Sequence, residues 1–507
     1  MNRDAMIRRA TERNAPWDLV VIGGGATGAG VAVDAAVRGY EVLLLERGDF
    51  GSGTSSRSTK LVHGGVRYLR QGNISLVMEA LRERGRLRRN APHIVHDLEF
   101  VLPCYRRRDV FMYGIGLKAY DLLAGRHRFG RSVIVSKNEV VRRLPTIRTE
   151  GLRGGVVYHD GQFDDARLLL HLLMTATDHG ACVLNYATVT GLTRSAAGAV
   201  NGVTVRDTES GVEFTASAKV VVNAAGPFCD EIRRMANPAA EPMLAASQGS
   251  HVVLDHSFLP GGSALLIPET PDGRVLFAIP WHGQTLVGTT DVAIPTAPVE
   301  PRATDAEIDF ILETAGRYLT RQPRREDVLS TFAGIRPLVK AGGNTASMSR
   351  DHAMRVDIPG LVTMTGGKWT TYRSMAEGCV NKAAEMAGLP PRRCGTTELR
   401  LHGYSQAATD SLGIYGSDAI EIRRLIAADP SLGVPLHPAL PYCGAEVVWA
   451  VRSEMARTVT DVLTRRTRVL HLNSRAALEM APRVAELMAR ELGRDIEWIA
   501  GQVRAVR

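Results

Sequence analysis

The stretch Trp17 to Arg47, WDLVVIGGGATGAGVAVDAAVRGYEVLLLER, constrains the fold more than any other in the chain. It opens on the β-branched run Leu19-Val20-Val21-Ile22, which predicts a buried strand. Gly23-x-Gly25-x-x-Gly28 follows, then an Ala/Val-rich segment with helical spacing to about Arg38, stopped by Gly39. A second apolar run, Val42 to Leu45, ends at Glu46. This is a βαβ unit for a dinucleotide. The first glycine permits the tight turn, the second lets backbone approach a pyrophosphate, and the third packs helix against strand. Ala26 and Thr27 lie at the helix start, where N–H groups and the dipole favour phosphate. Glu46, near the expected offset of roughly 20 residues, is placed to accept from ribose hydroxyls, with Arg47 beside it.

With 507 residues and 45% apolar content, the chain can bury a sizeable core in more than one domain. Its six cysteines are scattered without a CxxC pair, which argues against a disulfide framework, a zinc site or an iron–sulfur cluster. No metal is expected. Residues 1–16 are basic but lack a signal peptide's apolar core, and are expected to be a loosely ordered lead-in. No window approaches 18 uninterrupted apolar residues, so no membrane span is expected. The net charge of +9 attracts anions of several kinds and does not choose between metabolites, lipid headgroups and nucleic acid. Only seven of the 62 basic residues are lysines, so Lys60 and Lys368, each near glycines, suggest a need for a compact point charge.

Gly48 to Leu69 is rich in Gly, Ser and Thr without apolar period, and so reads as a loop. A loop this long in a compact domain is usually functional. Its segment TSSRSTKLVHGGVRYL, Thr54 to Leu69, resembles the signature of FAD-dependent glycerol-3-phosphate dehydrogenases, members of the glutathione-reductase-like, D-amino-acid-oxidase-type flavoproteins. GGVVYHDGQFDDAR (from Gly154), KVVVNAAGPF (Lys219 to Phe228), STFAGIRPL (Ser330 to Leu338) and GLVTMTGGKWTTYR (Gly360 to Arg373) resemble that family too. The resemblance spans roughly residues 18–373 and loosens in the tail.

The resemblance implies an α/β protein: an FAD-binding Rossmann-like domain, an antiparallel-sheet substrate domain roofing the flavin, and a C-terminal helical domain. The expected limits are 17–90, 150–235 and 345–390 for the FAD domain, and 91–149 with 236–344 for the cap. Residues 391–507 form the helical domain. Val183-Leu184 and Val203 to Val205 are expected in a small antiparallel meander. Val110 to Leu123 is an apolar helix that can serve as core or as a docking surface, with core preferred.

The resemblance also implies non-covalent FAD, oxidation of glycerol 3-phosphate to dihydroxyacetone phosphate by hydride transfer to flavin N5, and electron delivery to a membrane quinone. Expected at the cofactor are Gly23, Gly25, Ala26, Thr27, Gly28, Glu46, Arg47, Thr54, Ser55, Ser56, Thr59, Lys60, Leu61, Gly64, Gly65, Ala225, Gly226, Gly366, Gly367, Lys368, Thr370 and Thr371. Lys60 would meet cofactor phosphate or loop carbonyls.

Arg336 and Arg67, with Tyr68, are candidates for gripping substrate, since a guanidinium fork suits phosphate and Lys368 serves as a point charge. His63 is the candidate base, because imidazole titrates near neutrality, and His251 is its rival. The family sits on membrane surfaces without spanning them. That implies a cytoplasmic protein held on the anionic inner face, docked through Arg82–Arg89 or Arg465–Arg468. Nucleic acid is not an expected partner, and a homodimer is one candidate assembly. Alternatives are an oxidase handing electrons to oxygen, an amine or hydroxy-acid oxidase, and a non-catalytic basic binding protein on a dinucleotide fold.

Overall fold

The structure, a computed structural model, describes residues 1–65, 73–340, 352–406 and 410–506. Arg67 and Tyr68 lie outside the described residues. In chain order the strands begin with β1 (Trp17–Ile22), β2 (Val42–Leu45), β3 (Leu61–Val62), β4 (Val95–Cys104), β5 (Val133–Val135) and β6 (Gly154–Phe163). Next come β7 (Cys182–Leu184), β8 (Ala187–Arg194), β9 (Val200–Asp207), β10 (Glu213–Asn223), β11 (Leu244–Asp255) and β12 (Ala264–Ile267). The series closes with β13 (Leu276–Trp281), β14 (Gln284–Gly288), β15 (Val292–Ile294), β16 (Val328–Val339), β17 (His352–Ile358) and β18 (Leu361–Gly366).

The first sheet runs β17-β18-β10-β1-β2-β7, and its four pairings from β18 to β7 are parallel. A parallel sheet is covered on both faces, which is why its strands are apolar throughout. In β1, Leu19 and Val21 join a core with the helices Ala26–Val37, Asp165–Asp178 and Tyr372–Met386. Val20 and Ile22 face the β8–β9–β10 meander on the other side. The βαβ reading therefore holds, with the first helix ending at Val37 before Gly39. Val183-Leu184, expected in the meander, forms instead the parallel edge strand β7 beside β2.

The second sheet runs β15-β11-β14-β13-β12-β4-β6-β3, with β16 on β11 and β5 on β6. Its pairings are antiparallel apart from β12–β4. Here the expected limits need correcting. β6, assigned to the FAD domain, pairs with β4 over its whole length from Gly154 to Phe163, and β3 pairs with β6. Ladder hydrogen bonds outweigh nearness in the chain, so Leu61-Val62 and residues 154–163 belong to the cap sheet.

Residues 1–16, expected to be loose, form the helix Arg3–Thr11, capped by the Asn2 side chain. Arg3 is buried, with Nη2 2.5 Å from Asp207 and 3.1 Å from the Asn185 carbonyl, and the Met1 amino group donates to the Ser453 carbonyl. Charge alone could not reveal that a basic segment has buried acids to meet.

The tail is helical, with helices Ala419–Ala428, Gly444–Glu454, Ser474–Leu492 and Ile496–Val506. It has a small cluster of its own around Tyr415 and Ile422, but Val447, Leu463, Met480 and Val484 share a larger one with Phe100, Val253 and Phe332 of the second sheet. A second tie is His402, whose ring nitrogens lie 2.7 Å from Asp178 and 3.0 Å from Asp418. Burial pulls the imidazole's pKa down, but the two carboxylates outweigh it and push it up to about 9. A raised folded-state pKa stabilises fully below the ordinary value and is lost as pH climbs through the raised one. The expected outcome is therefore a thermal midpoint that falls between about pH 6.5 and 9. In His402→Gln that slope should flatten, as read by calorimetry across the range.

Candidate active site

Four turns gather at one edge of the first sheet because their strands run parallel in the order β2-β1-β10-β18. They are Glu46 after β2, Gly23–Gly25 after β1, Ala225-Gly226 after β10, and Gly366–Lys368 after β18. The carboxyl edge of an open parallel sheet is where a dinucleotide binds. Gly28 must be glycine: an added Cβ would lie 1.9 Å from the Gly23 carbonyl oxygen. Glu46 receives the Gly24 N–H at 2.7 Å and the Gly48 N–H at 2.9 Å. Burial pushes its carboxyl above the usual range, while the two N–H donors pull it back.

The arrangement fits FAD on its own terms. The helix Ala26–Val37 starts at this edge with no acid of its own in its first turn, which leaves its N–H groups and dipole to favour phosphate. A Cβ on Gly226 would meet nothing within 4 Å, leaving open space beside the strand ends. Gly366 and Gly367 both have positive φ, 77° and 72°, and turn the chain into the helix Tyr372–Met386. That gives a second helix start near the first. The two are joined: Trp369 Nε1 donates to the Ser55 carbonyl at 2.9 Å, and Ser55 Oγ accepts from Ala26 N at 2.9 Å.

The loop Gly53–Gly65 stitches this edge to the second sheet. Thr54 Oγ1 donates to the Ile335 carbonyl at 2.6 Å, immediately before Arg336. The His63 amide donates to Thr370 Oγ1, and the His63 ring sits 6.4 Å from the Phe277 ring on β13. Phe277 is opposite Gly288, and Thr289 then meets Arg336 Nη2 at 3.1 Å. His63, Phe277, Thr289 and Arg336 thus follow one another along a continuous wall, and β16, which carries Arg336, also packs against β18 and the turn Gly226–Phe228.

Several expected residues do something else. Lys60 is fully buried, with Nζ 2.8 Å from both Asp165 oxygens and 2.7 Å from the Ser56 carbonyl. Its charge is used inside the loop, not on cofactor phosphate, although the loop carbonyl expected of it is there. Thr59 Oγ1 lies 2.9 Å from His251 Nε2, and Ser56 Oγ donates to the Gly51 carbonyl at 2.8 Å. Both hydroxyls are committed to the fold. His251 is buried and stacked on Phe332 at 4.8 Å; burial, with Arg336 and Lys60, holds its pKa well below the ordinary value. Its ring lies against Gly288, the residue before Thr289.

Gly64 donates its N–H to the Tyr120 hydroxyl at 2.8 Å, and Leu61 is buried in the second-sheet core. Thr371 Oγ1 donates to the Lys368 carbonyl at 3.3 Å, and neither Thr370 nor Thr371 makes a side-chain cap. Arg47 stacks over Phe228, 3.9 Å from the ring centre. Gly65 has φ 79° at the end of the described part of the loop.

Sequence reasoning missed Asp291. Its carboxylate lies 3.3 Å from Arg336 Nη1 and 3.0 Å from Arg274 Nη1, and takes the Ser247 hydroxyl. Two arginines are therefore held on one carboxylate at the wall. The run Thr289-Thr290-Asp291, a carboxylate after two hydroxyls, carried the signal. Asp164-Asp165 was the other missed pair.

The family model for FAD dependent oxidoreductases matches residues 18–373, and one for the C-terminal domain of alpha-glycerophosphate oxidase matches residues 362–498. The chain is 43% identical to a mitochondrial glycerol-3-phosphate dehydrogenase of Arabidopsis thaliana over 94% of this chain and 83% of that one. It is 40% identical to the mitochondrial glycerol-3-phosphate dehydrogenase of Rattus norvegicus over 97% and 73%. Among solved structures it is similar to the glycerol-3-phosphate dehydrogenase of Bacillus halodurans complexed with FAD. The TM-score is 0.81 at 30% identity, covering 99% of this chain and 96% of that one.

The Lys60–Asp165 pair yields a test. Lys60→Met leaves a buried carboxylate uncompensated and should cost about 3–5 kcal/mol in urea unfolding, with most of that recovered in Lys60→Met/Asp165→Leu. Full stability with lost flavin would instead return Lys60 to the cofactor.

Proposed function

Because the chain belongs to the FAD-dependent glycerol-3-phosphate dehydrogenases, we propose that it oxidises sn-glycerol 3-phosphate to dihydroxyacetone phosphate and passes the electrons to a membrane quinone. The observation that carries the substrate reading is the wall of Arg336, Thr289 and Arg274 facing the parallel-strand edge across the loop that bears His63. FAD, when bound, supplies the acceptor for the hydride from C2 of the substrate. Gly23–Gly28, Glu46, Ser55, Gly226 and Gly366–Lys368 would hold it.

The chain's own groups do the rest. Arg336, aligned by Asp291 and by the Thr290 carbonyl at 3.0 Å, is pre-set to take two phosphate oxygens with its planar fork. Such pre-alignment lowers the entropy lost on binding. His63, held through its backbone by Thr370, takes the C2 hydroxyl proton as hydride leaves. Lys368, at the start of the turn into the helix Tyr372–Met386, adds positive charge where negative charge develops.

The membrane part of the reading rests on a surface. Among the described residues no helix is long and apolar enough to cross a bilayer. The Arg465–Arg468 docking face is ruled out, since Arg465, Arg466 and Arg468 are buried. In the other candidate face Arg84 is buried on Asp160, leaving Arg82, Arg88 and Arg89 exposed.

The helix Arg107–Ala124, expected mainly as core, exposes Phe111 (69%), Met112 (53%), Ile115 (56%) and Leu122 (82%). Ile134 of β5 lies against it at Gly114 and is half exposed. Exposed Arg106, Arg107, Arg108, Lys118, Arg126, Arg128 and Arg131 surround this face. An apolar face ringed by cations suits the surface of an anionic bilayer, where the quinone resides. This surface supports the reading of a peripheral enzyme on the cytoplasmic face.

Two tests follow. Anaerobic glycerol 3-phosphate should bleach the flavin absorbance of the purified protein. Arg336→Ala should raise the Michaelis constant at least about tenfold with flavin content intact, a loss of about 1.4 kcal/mol in binding; unchanged kinetics would remove Arg336 from the site. Phe111→Ser/Leu122→Ser should leave dye-linked activity unchanged while abolishing co-sedimentation with phosphatidylglycerol vesicles. Oxygen uptake exceeding quinone-analogue reduction would favour the oxidase alternative.

A further inference from the structure

The residues Val462–Arg466 form one π-helical turn, and Arg468 just beyond it adopts a left-handed backbone with φ 60°. Such turns are uncommon and concentrate at functional positions. This one carries Arg465, Arg466 and Arg468, all buried. Buried guanidinium groups need anionic partners, and two of the acids they meet belong to the segments that build the cofactor edge, not to the tail.

Arg465 Nε and Arg466 Nη1 each lie 2.5 Å from the Asp49 carboxylate, and Arg466 Nη2 completes a fork at 3.0 Å. Burial opposes ionisation of Asp49, but Arg466 and Arg465 hold its pKa below the ordinary range. Arg468 Nε lies 3.0 Å from Asp164, which also takes His282 Nε2 at 3.0 Å. Arg465 is further tied to Asp461, and Arg466 to the Glu454 carbonyl, which anchors the turn in its own domain.

Asp49 is three residues past Glu46, on a segment bonded twice to the glycine turn. Glu46 takes the Gly24 N–H, and the Gly51 N–H donates to the Gly24 carbonyl at 3.1 Å. Asp164 adjoins Asp165, the partner of Lys60 in the loop that carries Ser55 and His63. The arginine turn therefore grips both segments from behind.

We propose that this turn is a cofactor-retention clamp, through which the C-terminal domain sets how tightly the FAD edge is held. Arg465, Arg466 and Arg468 are positioning residues, acting through Asp49 and Asp164. Without Arg466, part of the Asp49 charge is uncompensated, and the strain is relieved by movement of residues 46–52. That movement loosens the Gly24 turn. The proposal rests on FAD lying along the Gly23–Gly28 edge.

The test follows flavin release from the holoenzyme after dilution, by the rise in flavin fluorescence. Arg466→Met should release FAD at least about tenfold faster, with Arg466→Lys intermediate. Should Arg466→Met fail to fold, Asp49→Asn carries the same expectation. Arg452→Ala, which removes the exposed pair with Glu491 in the same domain, should release FAD at the wild-type rate. The thermal midpoint gained by adding FAD should shrink in Arg466→Met. A midpoint lowered equally with and without FAD, with unchanged release, would overturn the clamp. A wild-type protein without a flavin spectrum would overturn the cofactor reading itself.

Discussion

The fully buried ion pair between Lys60 and Asp165 holds the chain where the two sheets meet. Asp165 also takes the Ser58 amide, the Ser58 hydroxyl and the Ala166 amide, so its charge is satisfied from several sides. Lys60 has φ 62°, a conformation seldom adopted by residues with a Cβ, and is kept there by its contacts. With this point fixed, residues 54–59 run along the parallel-strand edge while Leu61-Val62 enters the second sheet. The loop can then present Ser55 to one sheet and His63 to the other.

Buried charge recurs as the means of joining domains. Arg3 with Asp207, Arg84 with Asp160, Arg373 with Glu83 and Arg466 with Asp49 are each nearly inaccessible to water. Such pairs are weak sources of net stability, because desolvation offsets most of their attraction. They are strong sources of register, since a misplaced partner leaves a bare buried charge. Arginine suits this use: its fork can meet two or three acceptors at once, as Arg466 does with Asp49 and the Glu454 carbonyl. The preference for arginine over lysine noted in the sequence thus finds much of its expression inside the molecule.

The same fact explains why the sequence misled in particular places. Arg465–Arg468 reads as a cationic surface because adjacent charges in a chain are usually solvated, and two of the acids that bury them, Asp49 and Asp164, are hundreds of residues away. The helix Arg107–Ala124 reads as core because its apolar content is high, yet Phe111, Met112, Ile115 and Leu122 on its outer face are exposed. His251 is a candidate base by residue type, and only the fold shows it buried and stacked on Phe332.

The sequence by itself determined the βαβ unit, the glycine turn, Glu46 at the end of β2 and the second helix start after Gly366-Gly367. These depend on spacing, chain stiffness and backbone freedom, which are local. The helical tail and the family were legible for the same reason. Only the tertiary structure decided that β6 joins the cap sheet, that Lys60 is consumed by Asp165, that Asp291 aligns Arg336, and that the tail's arginines reach the cofactor edge. Those outcomes depend on which partner each buried charge or strand edge meets across long stretches of chain, and spacing carries no record of that choice.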